Sequence, residues 1–274
     1  MPLFTAAAIP MNSQPDLAHN MDQAYRLISE AAGEGARFVG LPENFAFLGD
    51  EKKRLQQAGT ISKTVEQNLA KWASEFEIFL MGGGYPVPAG NGKMYNRAVI
   101  IDPYGKTAAQ YDKIHLFDVD LSDKESYRES ELVEPGDKNL GFCRLIGPVR
   151  VGLSICYDIR FPELYRELAA RGSRLLCIPA AFTKPTGEAH WEVLLRARAI
   201  ENTCYVFAPA QTGRHGKKRQ TYGHAMIVDP WGTVLADAGT EPGIAYARID
   251  PELIREVRRK IPSLKHRVLY TERV

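Results

Sequence analysis

"DLAHNMDQAYRLISEAAGEGARFVGLPEN" runs from Asp16 to Asn44 and holds a helix, its stop and a strand in one reading. Leu17, Met21, Ala24, Leu27, Ile28 and Ala31 recur at the spacing of one helix face. Gly33 and Gly35 end that pattern, as helix stops do. "RFVGLPEN" then reads as an apolar strand closing on Pro42 and Glu43. Upstream, Leu3 to Ile9 is a short apolar strand. Downstream, a helical stretch covers roughly Ser62 to Phe76, and "IFLMGGGY" is another strand. Strand, helix, strand, helix, strand is the order of an α/β fold. The three glycines lack the Lys-Ser/Thr of a phosphate loop and read as a strand end that admits close backbone approach.

Hairpins come next. "NRAVIIDPYGKTAAQYDK" places two strands around Asp102-Pro103-Tyr104-Gly105, and "GHAMIVDPWGTVLADAG" repeats the punctuation at Asp229-Pro230-Trp231-Gly232. Proline presets the turn's φ and glycine relieves its exit. The simpler reading is two hairpins that need the same turn; an internal duplication is the alternative. No Ser/Gly-rich linker interrupts the chain, so residues 1–274 read as a single domain with sheets packed on each other and helices outside.

Hydrophobic residues make up 45% and charged residues 25%, the balance of an ordinary soluble globular protein. A net charge of +2 gives no general case for nucleic acid or a membrane surface. The start lacks a basic region and a long apolar stretch, and no apolar run reaches membrane-spanning length. Cys143, Cys156, Cys177 and Cys204 form no C-x-x-C pair, so the expectation is a cytoplasmic protein with free thiols.

Three residues stand out by position. Glu43 follows the strand "RFVGLP", Lys113 follows the second strand of the first hairpin, and Cys156 follows "RVGLSI". Functional groups gather beyond the carboxyl ends of strands in open α/β sheets. A cysteine in an apolar run is also a small hydrophobe, and a strand-end Glu or a loop Lys is also an ordinary surface charge. Pro162 suits the first position of a helix, whose amides would favour a Cys156 thiolate. A Cys-His pair is the competing reading, with His115, His190 and His224 as candidates; His190 reads as opening a helix. The His and Cys positions have no metal-ligand spacing, so no metal is expected. The tail carries Arg255, Arg258, Arg259, Lys260, Lys265 and Arg267, which offers a non-enzymatic alternative: a module that binds through a basic helix.

"GLPEN", "YDKIHLFDVD" (Tyr111 to Asp120) and "SICYDIRFPE" (Ser154 to Glu163) resemble the three motif regions of the nitrilase superfamily of carbon–nitrogen hydrolases. "AHWEVLLRARAIENTCYV" (Ala189 to Val206) and "YGHAMIVDPWG" (Tyr222 to Gly232) extend the likeness over nearly the whole chain. The resemblance implies a four-layer αββα sandwich, a homodimer or larger homo-oligomer, no cofactor and a Glu43-Lys113-Cys156 triad; the tail, about residues 251–274, is expected at a subunit interface. "YRESELVEPG" matches the region of the family's second active-site glutamate, which falls on Glu129.

The implied chemistry is amide hydrolysis through a thioester. Glu43 serves as base, Lys113 and the Tyr157 N–H stabilise the oxyanion, and Glu129 orients Lys113 or passes a proton. Arg160 matches the arginine that holds a substrate carboxylate in related amidases, and Thr186 a position that hydrogen-bonds the same acyl group. The chain is most similar to the Nit-branch amidases. That likeness implies deaminated glutathione as substrate, cleaved to 2-oxoglutarate and cysteinylglycine, with 2-oxoglutaramate and then nitriles as alternatives. The segment Thr212 to Gln220 carries Arg214, Lys217, Lys218 and Arg219 and is expected to be a basic loop at the mouth that favours the larger anion.

Overall fold

The structure is a computed structural model that describes residues 3–122, 125–138, 140–216, 219–240 and 243–268. Its first half runs β1 (Phe4–Ala8), α1 (Leu17–Gly33), β2 (Ala36–Gly40), α2 (Glu51–Gln56), α3 (Ala58–Glu75), β3 (Phe79–Pro88), β4 (Met94–Ile101) and β5 (Thr107–Asp112). A small hairpin of β6 (Asp118–Ser122) and β7 (Glu125–Arg128) follows. The second half runs β8 (Phe142–Arg144), β9 (Arg150–Leu153), α4 (Pro162–Ala170), β10 (Leu175–Cys177), α5 (Lys184–Asn202) and β11 (Tyr205–Ala208). It continues through β12 (Thr212–His215), β13 (Arg219–Tyr222), β14 (Met226–Val228), β15 (Val234–Asp237), β16 (Ala245–Ile249) and α6 (Pro251–Lys260).

Two six-stranded sheets form the centre. One has the order β16-β1-β2-β3-β4-β5 and the other β8-β9-β10-β11-β14-β15. In each, three parallel strands lie between an antiparallel edge strand and an antiparallel hairpin. The Asp-Pro-x-Gly turns occupy the same place in the two sheets. Gly105 and Gly232, both at positive φ, donate back to Asp102 and Asp229 at 2.9 and 3.0 Å. The two sheets thus share one topology, and each hairpin uses the same turn.

Alternation along each strand sorts the layers. Ala6, Ala8, Phe38 and Met81 face the second sheet and join Val151, Leu153, Leu176 and Phe207 in one core, where the Phe38 and Phe207 rings lie 4.6 Å apart. Ala7, Val39 and Leu80 face the other way, onto Ile28 of α1 and Val65 and Leu69 of α3. α4 and α5 cover the second sheet through Leu168, Trp191 and Leu195. The result is the αββα sandwich that the family resemblance implies.

Several boundaries differ from expectation. The second helix begins at Ala58, and α2 precedes it; "EKKRLQ" shows no apolar period because only Arg54 of the six is buried. The Met81-to-Tyr85 glycines sit inside β3 at a register shift, not at its end. A side chain on Gly84 would stand 2.1 Å from the Asn96 amide oxygen and 3.1 Å from Glu43 Cγ, so the missing Cβ lets β3 lie against the Glu43 loop. α6 packs on its own chain through Ile254 and Val257. Arg255 and Lys260 pair with Glu252 and Glu256, and Arg258 donates to Thr203 and Ser173, which leaves much of the basic tail committed within this chain. Residues 269–274 of the tail lie outside the described residues.

Candidate active site

Glu43, Lys113 and Cys156 meet at the strand ends, between the two sheets. Glu43 lies three residues beyond β2, Lys113 directly after β5, and Cys156 three residues beyond β9. Their relative exposures are 3, 2 and 8%, so their charges interact with little solvent screening. Lys113 Nζ donates to Glu43 Oε1 at 3.0 Å and to both Glu129 oxygens at 2.9 and 3.1 Å. Glu43 Oε2 accepts the Ala181 N–H at 3.0 Å, and the Cys156 thiol hydrogen-bonds to the same carboxylate. Glu129 also accepts the Phe117 N–H at 2.7 Å, which fixes it on the β6–β7 side of the cluster.

The charges settle in a definite pattern. Burial by itself would raise Glu43, but the Lys113 and Arg219 cations and hydrogen bonds from Cys156 and Lys113 outweigh it and hold the carboxyl below its ordinary range. Burial works against a charged Lys113 as well. The carboxylates of Glu129 and Glu43 more than reverse this, and the ammonium is held well above the usual lysine range. Cys156 is pushed well above a normal thiol, first by burial and then by the Glu43 charge. The resting state is therefore a carboxylate, an ammonium and a neutral thiol. This corrects the expectation of a helix-stabilised thiolate. Pro162 does open α4, but a 3₁₀ turn (Cys156–Arg160) separates Cys156 from it.

Cys156 adopts φ +49° and Asn44, beside Glu43, φ +60°, both in the left-handed region that costs free energy for non-glycine residues. Surrounding contacts fix these conformations. The Cys156 N–H donates to the Pro179 carbonyl at 2.9 Å. Arg198 of α5 grips the Ile159 carbonyl with two N–H groups at 2.7 and 2.9 Å. Asp158, fully buried, accepts from the Ile155 N–H, the Tyr111 hydroxyl and the His115 N–H, at 2.8, 2.8 and 3.2 Å, and its Oδ1 lies 2.7 Å from His115 Nδ1. Tyr111 and His115 flank Lys113, so one carboxylate fastens the lysine segment to the cysteine turn.

The remaining predicted residues fall as follows. Among the described residues no carbonyl takes the Tyr157 N–H, and its side chain packs edge-on against Phe117 and Phe161. Arg160 sits at the end of the 3₁₀ turn, not in a helix. Its guanidinium lies over the Tyr157 and Phe182 rings at 5.8 and 5.3 Å, and 3.3 Å from His190 Nδ1. Thr186 lies in the first turn of α5 with its hydroxyl 2.8 Å from that of Thr183. The candidate histidines have other partners: His115 has Asp158, His224 has Asp237, and His190 has Arg160. His190 lies seven residues into α5 instead of opening it. Among the described residues no group of three or more His, Cys, Asp and Glu is arranged to hold a metal.

Sequence reading missed Asn96, Asp158 and Arg198. Asn96 of β4 bridges the two acids, its amide donating to Glu43 Oε1 at 2.9 Å and to Glu129 Oε1 at 3.3 Å. The basic segment is also not a free loop: Thr212–His215 pairs antiparallel with Arg219–Tyr222. Arg214 is exposed, Arg219 turns inward, and Lys217 and Lys218 lie outside the described residues.

A carbon–nitrogen hydrolase family model matches residues 5–259. A protein of Synechocystis named deaminated glutathione amidase is 51% identical over 97% of this chain and 98% of its own length. An omega-amidase NIT2 of Pongo abelii is 41% identical over 97% and 96%. The crystal structure of the Caenorhabditis elegans NitFhit protein superposes with a TM-score of 0.90 at 40% identity, covering 98% of this chain and 66% of that one. That of Saccharomyces cerevisiae Nit3, described as a member of branch 10 of the nitrilase superfamily, gives 0.85 at 30% identity over 99% and 97%. Fold, motif spacing and these relatives agree, and the chain belongs to the carbon–nitrogen hydrolase family.

Proposed function

We propose that this hydrolase cleaves a linear amide with a carboxylate on its acyl side, deaminated glutathione foremost, with Cys156 as nucleophile, Glu43 as base and Lys113 as oxyanion stabiliser. The observation that carries the reading is the cluster in which the Glu43 carboxylate meets both the Cys156 thiol and the Lys113 ammonium. An ammonium has three N–H groups. They meet Glu43 Oε1 and the two oxygens of Glu129, which holds the cation in place beside the thiol, where a substrate oxygen would turn negative.

In the first step the thiol proton passes to Glu43 as sulfur attacks the amide carbon, and the new oxyanion is stabilised by the Lys113 charge and the Tyr157 N–H. Collapse breaks the C–N bond, Glu43 returns its proton to the departing amine, and a thioester remains. Glu43 then takes a proton from water as the water attacks the thioester, and the acid and the free thiol are released. Glu129 keeps Lys113 charged and aimed. Thr186 borders the acyl side beside Thr183.

Arg160 has no carboxylate partner among the described residues, and its fork stays available for one on the substrate. Arg160→Leu should lower kcat/KM for carboxylate-bearing acyl groups by roughly 30-fold to several thousand-fold, the cost of stranding a buried charge. A neutral amide of similar size should change little, and equal losses on both would refute the assignment. The second reading, ω-amidase action on 2-oxoglutaramate, draws support from the NIT2 relative. Rates on deaminated glutathione, 2-oxoglutaramate and a nitrile, measured side by side, decide among the three; a dominant nitrile rate would overturn the amidase reading.

We also propose a homodimer. Val193 and Ile200, seven residues apart on α5, are 68 and 50% exposed; Trp231 and Leu235 of the β14–β15 hairpin are 54 and 40% exposed. Arg196 ties the two elements together by donating to the Gly232 carbonyl at 2.9 Å. A joined apolar face of this kind marks an interface. Sedimentation should give twice the 30.6 kDa chain mass and fall to the monomer in Trp231→Glu/Ile200→Glu; a monomeric parent protein would remove the proposal. The four free cysteines support a cytoplasmic, reducing location, which cell fractionation tests. Among the described residues no helix is long and apolar enough to cross a membrane.

A further inference from the structure

Six side chains and one peptide carbonyl form a closed ring of contacts beside the thiol. The Arg160 guanidinium lies over Tyr157, Tyr157 meets Phe117 at 5.1 Å, and Phe117 meets Tyr127 at 5.1 Å. The Arg219 guanidinium lies 5.8 Å from the Tyr127 ring and donates to the Ala181 carbonyl at 3.2 Å. Phe182, the next residue, returns to Arg160. Tyr157 adjoins Cys156, Ala181 donates to Glu43, and Phe117 donates to Glu129, so the ring borders the reacting groups directly. It is aromatic except for two cations. Three rings separate Arg160 from Arg219 along one arc, and Ala181 and Phe182 along the other.

We propose that Arg219 is a second anion subsite, which binds the carboxylate of the leaving group while Arg160 holds that of the acyl group. The inference rests on the deaminated glutathione reading above. The Arg219 side chain is 21% exposed, and its nearest acid, Glu51, is 3.6 Å away and 40% exposed, a weak rim pair. Its Nε–H is buried and has no hydrogen-bond partner among the described residues. An orphaned guanidinium donor is costly, and a carboxylate is the group that matches its fork. The amine released from deaminated glutathione is a dipeptide that ends in such a carboxylate. Ammonia, released from 2-oxoglutaramate, has none. The two substrates thus differ in whether they supply a partner to Arg219. Of the two described basic residues between Thr212 and Gln220, Arg214 is exposed and Arg219 reaches the Ala181 carbonyl, so the geometry selects Arg219.

The test pairs one enzyme change with one substrate change. Deaminated glutathione and its analogue ending in glycinamide are compared on the parent enzyme, Arg219→Gln and Arg219→Lys, with 2-oxoglutaramate as reference. The parent should favour the free carboxylate by roughly 10-fold or more in kcat/KM at low salt, less so as salt rises. Arg219→Gln should bring that ratio near one, and Arg219→Lys should restore part of it. A ratio unchanged in Arg219→Gln overturns the proposal. A uniform fall on all three substrates at constant ratio also overturns it and assigns Arg219 to the support of Glu43. If the parent cleaves 2-oxoglutaramate but neither dipeptide amide, the substrate reading itself fails, an outcome visible without any variant.

Discussion

Cys156→Ala is expected to fold and to lose hydrolysis on the order of 10⁴-fold or more, as nucleophile deletions do when the site acts as a unit. Intact-protein mass spectrometry of the parent, quenched during turnover of a slow amide, should show an acyl adduct, and peptide mapping should place it on Cys156. The other thiols provide the control. Burial pushes Cys143 up to about 12, Cys204 up to about 11 and Cys177 well above the normal range. Burial lifts Cys156 too, so ease of ionisation does not distinguish it. What does is a carboxylate within hydrogen-bonding reach to take the proton. An adduct on any other cysteine, or substantial activity in Cys156→Ala, would remove the central assignment. Alkylation by iodoacetamide should follow the same logic, fast at Cys156 and slow there in Glu43→Gln.

The sequence carried the layer order well, because amphipathic helices and apolar strands alternate strictly up to Tyr85. The Asp-Pro-x-Gly turns were legible for the same local reason. The doubled topology was not: two halves that share strand order but little sequence show it only when the sheets are seen together. The proposed triad was legible as three strand ends plus a family likeness, and geometry brings Glu43, Lys113, Glu129 and Cys156 into one hydrogen-bonded cluster. Asn96, Asp158 and Arg198 were illegible because nothing local marks them. Asn96 is one polar residue in "MYNRAVII", and its bridge exists only where β4 crosses the Glu43 loop. Asp158 reads as a turn acid until Tyr111 and His115, more than forty residues away, arrive beside it. Arg219 read only as one of four charges of a basic loop at the mouth, and the β12–β13 pairing turns it inward.

The pH profile of kcat/KM should be flat from about pH 5 to pH 9, because the proposed mechanism needs Glu43 ionised and Lys113 charged in the free enzyme. Glu43 titrates below its ordinary value of 4.5, so activity is lost only as pH falls through that depressed value. Lys113 and Cys156 are both displaced upward, so neither changes charge within the window. Glu43→Gln removes the base and should cost roughly 10²–10⁴-fold in kcat. Lys113→Met should cost about 10²–10³-fold, the usual value of an oxyanion donor. Their losses should not add in the double variant. Lys113→Met carries the sharper consequence. With the ammonium gone, burial of Glu43 is opposed mainly by Arg219, so its carboxyl must titrate higher and the acid limb of the residual activity must move up in pH. Two facing buried carboxylates without their cation also strain the fold, so circular dichroism and the milder Lys113→Arg accompany the assay. Lys113→Arg keeps the charge and should leave the acid limb near that of the parent. If the limb stays in place in Lys113→Met, or lies above pH 6 in the parent, then Lys113 does not hold Glu43 ionised and the division of labour between base and cation is wrong.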